Sequence, residues 1–130
     1  VAGSIDFAHY VSGSVRRIVV TWTGDAASGD VPDLVLPTIE GEIVELTTNP
    51  GSPAPTDNYG VTLTDQDGVD RLRGLGASRD TALTETVPIF YAGTGAHPVV
   101  SRAHVLRLAV TGNAVASAAG SLTILYRPAT

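Results

Sequence analysis

The chain contains no cysteine, so neither a disulfide framework nor a zinc–thiolate site can form. Lysine is absent as well. All 8 basic residues are arginine, set against 13 carboxylates for a formal net charge of −5. Affinity for nucleic acid comes largely from neutralising phosphates, so an acidic chain without a basic run is poorly suited to nucleic acid as its main partner. An anionic membrane surface is disfavoured for the same reason. No stretch reaches the ~18 apolar residues of a membrane helix. The first residues lack the charged and then apolar regions of a secretory signal, and the expectation is synthesis in a host cytoplasm without one. The start at Val1 fits removal of an initiator methionine and equally a trimmed chain.

Hydrophobic residues make up 43 % of the 130 residues and charged ones 16 %, too apolar a balance for a disordered chain. That length fits one domain over 1–130, able to bury roughly 70 % of its unfolded surface. The charges separate along the sequence. Every carboxylate lies between Asp6 and Glu85, whereas Thr86 to Thr130 carries only Arg102, Arg107 and Arg127. Such a chain either interleaves its halves in space or keeps complementary patches for contact between copies; interleaving is the simpler expectation.

Apolar and polar residues alternate in short runs bounded by Gly, Pro, Asn and Asp, the pattern of half-buried strands. In Val15–Thr23, Ile18, Val20 and Trp22 share a face. Glu42–Thr47 sets Val44 and Leu46 against Ile43 and Glu45, and Tyr59–Thr64 sets Tyr59, Val61 and Leu63 against Gly60, Thr62 and Thr64. His104–Val110 and Ser121–Arg127 show the same alternation, and together predict a terminal hairpin across Gly112–Gly120. Weaker candidates are Ile5–Val11, Leu34–Thr38, Val69–Leu72, Thr84–Tyr91 and Val99–Ser101. No window carries a sustained helical stripe. The expected fold is all-β with very little helix, a two-layer antiparallel β-sandwich of jelly-roll type or a barrel.

Asp65, Asp67 and Asp70, around Gly68, offer the closely spaced carboxylates of a cation loop. Aligning Gly68 to the glycine of an EF-hand puts Leu63 at the first ligand position and Gly74 at the last, so a tight turn is the favoured reading. Gly74-Leu75-Gly76 opens like a dinucleotide loop but runs into Arg79, with no helix to follow. His9, His97 and His104 have no metal-ligand spacing. Ser12 and Ser14 flank Gly13 without forming a nucleophile elbow, and Glu40 and Glu42 fit a solvated strand face better than an acid/base pair. The chain is therefore expected to act without catalysis and without a cofactor. Arg71, Arg73 and Arg79, beside Asp65, Asp67, Asp70 and Asp80, form a mixed segment suited either to a subunit or partner contact or to an exposed salt-bridged loop.

The segments Glu40–Thr47, Asn49–Gly51, Ala54–Tyr59, Thr62–Asp70 and Gly74–Asp80 resemble small virion structural proteins of tailed bacteriophages. The resemblance covers about a third of the chain and brings no active-site residue. It implies a β-rich capsid decoration or cement protein that stabilises a shell as a homo-oligomer, with a homotrimer favoured, located in the virion and partnered by itself and a capsid or other virion protein. A neck, tail-adaptor or head-fibre component is the alternative. A glycan- or calcium-binding module is kept from a different class.

Overall fold

The structure, a computed structural model, describes residues 2–129. It is all-β: β1 (Ser4–Tyr10), β2 (Arg16–Thr23), β3 (Leu34–Val35), β4 (Gly41–Pro50), β5 (Gly60–Thr64), β6 (Glu85–Pro88), β7 (Val99–Val100), β8 (Arg107–Thr111) and β9 (Ala119–Pro128). The strands form two antiparallel sheets. The larger runs β1-β2-β9-β4-β6, with β7 also paired to β4; the smaller runs β3-β8-β5. From β2 onward the chain changes sheet at every step except β6 to β7, which is the winding of a jelly roll rather than of a closed barrel.

The alternation read from sequence becomes the core. Ile18, Val20 and Trp22 of β2, Val61 and Leu63 of β5, Leu108 and Val110 of β8 and Leu122, Ile124 and Tyr126 of β9 are buried between the sheets in one hydrophobic cluster. Trp22 lies across from Gly120. A side chain on Gly120 would come within 2.6 Å of the indole ring, so this glycine makes room for the largest aromatic in the core.

Three expectations are corrected. The predicted terminal hairpin does not form: β8 pairs with β3 and β5, while β9 pairs with β2 and β4. The 112–118 connection crosses between layers, pinned by buried Asn113. Its Nδ2 donates to the Gly29 carbonyl at 2.7 Å and its Oδ1 accepts the Thr56 amide at 3.0 Å. In β4 the faces also differ from simple alternation. The register with β9 shifts between Ile43 and Glu45, a bulge that adds one residue and turns Ile43 and Leu46 to the same buried side. Of the weaker candidates, Val69–Leu72 forms no strand and contributes a single bridge, Thr64 to Asp70.

Candidate functional site

The acidic turn that follows β5 is built from the inside. Asp65 is buried, and its Oδ1 accepts the amides of Asp67 and Val69 at 2.9 and 3.1 Å. Its Oδ2 receives Nε and Nη2 of Arg71 at 3.1 and 2.6 Å. The hydrogen bond from Arg71 holds the Asp65 carboxyl below the usual carboxylate value, helped by the Val69 and Asp67 amides against the opposing cost of burial. Asp70 faces the other way. Its Oδ1 takes the amides of Leu63 and Leu72 and its Oδ2 that of Gly74. Asp65, Asp67 and Asp70 thus do not converge on a shared point, and no cluster of three metal-ligating side chains occurs among the described residues.

The three arginines of the mixed segment go to separate places. Arg71 also lies 3.0 Å from His104 Nε2, while His104 Nδ1 receives the Ser101 amide. Arg73 is exposed and stacks over the Tyr91 ring at 4.6 Å. Arg79 donates to the Ala77 carbonyl and sits 3.8 Å from Glu85. Arg71 and Arg79 are therefore engaged within the chain, and Arg73 presents its guanidinium at the surface.

Sequence reasoning missed a surface at one end of the sandwich, where β1 turns into β2. Tyr10, Val11 and Val15 are exposed there. Val99 of β7, which pairs with Glu42 at the start of β4, and Val105 on the following connection, tied by its amide to Gln66 Oε1, are also exposed. Arginines border them. Arg17 covers the Tyr10 ring at 4.2 Å, and Arg16 lines a groove of about 270 Å³ with His9, Val11, Glu40 and Arg102. Burial, and secondarily the charge of Arg16, lower the His9 pKa. Arg102 and Arg127 pair with Glu40 and Glu42 at 3.5 and 3.4 Å, so the two charge halves of the sequence do interleave. The opposite end carries Asp25, Asp30, Asp57 and Asp80 on its connections and Glu85 at the start of β6, with Arg79 beside Glu85. The residual charge separation is end to end, which only the fold reveals.

A second surface is the outer face of β1 and β2, where Asp6, Tyr10, Val19, Thr21 and Thr23 line a shallow groove of about 700 Å³. The register extends this polar face across the sheet in rows, Ala8–Val19–Thr123–Thr47–Thr86 and Asp6–Thr21–Ser121–Asn49.

No protein-family model matches the chain, and no curated protein does. Among solved structures it is similar to a chain of the cyanophage Pam1 capsid asymmetric unit, at 20 % identity over 98 % of this chain and 87 % of that one, with a TM-score of 0.42. It is also similar to TmCBM61, solved with β-1,4-galactotriose, at 12 % identity over 95 % and 88 %, with a TM-score of 0.38. A family 11 carbohydrate-binding module of the cellulosomal cellulase Lic26A-Cel5E of Clostridium thermocellum gives 15 % identity over 98 % and 83 %, with a TM-score of 0.35. Likenesses of this size assign neither ligand nor partner to the chain.

Proposed function

We propose that the chain is a non-catalytic structural protein of a tailed-phage virion, most specifically a decoration or cement protein that docks on a capsid shell and works as a homo-oligomer. The observation that carries this reading is the exposure of Tyr10, Val11, Val15, Val99 and Val105 at this end, with Arg17 over the Tyr10 ring and Arg16 and Arg102 sharing a groove with Val11. Exposed apolar side chains gathered beside arginine are the composition of a protein interface rather than of a free surface. The resemblance of the Glu40–Asp80 region to virion proteins supplies the partner class.

The test is cosedimentation of the purified protein with empty heads of the virus that encodes it, followed by electron microscopy of the heads. Saturable binding at regular shell positions is expected, and Val15→Asp with Arg16→Glu should abolish it while leaving the circular dichroism unchanged. Density at the neck, tail or fibre would replace decoration by the adaptor reading. Absence of binding to any part of the particle would overturn both. Heat on titration with calcium or with oligosaccharides would favour the ligand-binding module.

A further inference from the structure

A β-sheet edge is a row of unpaired amides and carbonyls, and proteins that stay apart cover, shorten or interrupt such rows. Three of the four edges here are managed. On the smaller sheet, β3 is two residues long between Pro32 and Pro37. The free side of β5 is covered by the chain that follows it: the amides of Val61 and Arg71 bond to Gly76 and Leu63 carbonyls, the Leu63 amide bonds to Asp70, and Tyr59 bridges to Arg79. On the larger sheet, the far edge is split between the short β6 and β7, with Pro88 and Pro98 at the break.

The fourth edge, β1, is different. It is seven residues long, unbroken, free of proline, and among the described residues paired only with β2. The Phe7 amide bonds to Asp6 Oδ1 at 2.8 Å rather than to β2, so Phe7 points its backbone outward, and a second strand pairing here exchanges that local bond for one between the strands. Antiparallel alternation places the backbones of Ile5 and His9 on that same free side. Phe7 itself is 36 % exposed although it lies on the inward face, opposite Val20.

We propose that β1 pairs with β1 of a second copy of this chain, antiparallel about a two-fold axis at Phe7, joining the two large sheets into one. This deepens the homo-oligomer reading above and rests on it for biological purpose, though not for its geometry. In the fully overlapping register Phe7 meets Phe7, Ile5 meets His9, Asp6 meets Ala8 and Ser4 meets Tyr10. No like charges oppose one another, and an aromatic pair forms on the axis. Asp6 falls diagonal to the Tyr10 of the second copy, over which the Arg17 guanidinium lies, so the charges are complementary. Shifting the register to centre on Asp6 would set two carboxylates face to face. The broken β6–β7 edge cannot accept β1 over its whole length, which favours a closed pair over a head-to-tail chain.

The absence of cysteine makes a direct test available. Directly opposed residues of a hydrogen-bonded antiparallel pair have Cα atoms about 5.5 Å apart, inside the range a disulfide spans. Phe7→Cys should therefore crosslink to a dimer under mild oxidation at least tenfold faster than Leu83→Cys, an exposed site at the acidic end. In sedimentation the unmodified protein should shift from monomer to dimer with rising concentration. Phe7→Pro, whose missing amide belongs to no β1–β2 bond, should weaken that dimer at least tenfold with unchanged circular dichroism. A protein monomeric at every concentration, a dimer untouched by Phe7→Pro, or equal crosslinking at both cysteines would each overturn the proposal. If Phe7→Pro does not fold, the cysteine pair still decides. Head binding without dimers would defeat this inference alone, whereas dimers without head binding would defeat the virion reading alone.

Discussion

The edges of β5 and β1 were given opposite treatments by the same chain. Both strands show their neighbours one paired side, but the free side of β5 is occupied by some ten residues of following loop and that of β1, among the described residues, only by the Asp6 carboxylate on the Phe7 amide. The cover on β5 is made largely by backbone bonds, with the Asp70 carboxylate on the Leu63 amide and a glycine, Gly76, that lets the backbone come close. A carboxylate can terminate a sheet as well as bind a cation, and here Asp70 accepts the Leu63 amide that an extra strand would otherwise take.

Four experiments would break or sharpen that comparison. Gly76→Ala should have the largest effect. A Cβ there would fall against the Val61 carbonyl oxygen, well inside contact distance, forcing the cover off β5. A loss of about 3 kcal/mol in urea unfolding is expected, with concentration-dependent association through the newly opened edge. Asp70→Ala removes the acceptor of three amides, Leu63, Leu72 and Gly74, and should cost roughly 2 kcal/mol. Hydrogen exchange at Leu63 should quicken while exchange in β2 and β9 stays slow; uniform quickening would show that the cover is not a separable unit.

Acid comes third. Asp65, bonded to Arg71 and to turn amides, and Asp25 and Asp80, each bonded to two amides of its own turn, have carboxyls held below the 3.8 of a free side chain. Their stabilisation is complete above that value and drains away as pH falls through the lower folded values. Amides of the β5 cover should thus exchange faster below pH 4, before the β1–β2 pair responds. The smallest effect on the fold is expected of Phe7→Lys, a partly exposed position on the open edge: within ~0.5 kcal/mol in thermal or urea unfolding. A large destabilisation would mean that β1 is packed more firmly than its exposure indicates.

Half-buried strands were legible because period-two alternation is a local property. β2, β5, β8 and β9 bury the residues their sequence singles out. What could not be read is whatever depends on a distant partner. The bulge in β4 is set by its register with β9, and the crossing of 112–118 depends on Asn113 reaching Gly29 and Thr56. The acidic turn was recognised as a turn from Asp and Gly content, but not as the cover of an edge, since the amides it satisfies belong to another strand. The end surface is not legible because Val11, Val15, Val99 and Val105 are scattered in sequence and are brought to one end only by the winding of the chain.

That winding has a consequence for how the molecule is made. β9, made after the other eight strands described, sits between β2 and β4 at the centre of the larger sheet. Until it arrives, those two strands have a gap where their shared neighbour belongs. The growing polypeptide must leave that place open, or borrow help, until β9 slots in like a keystone. Closure of the larger sheet should therefore be late, slow and sensitive to anything that delays β9.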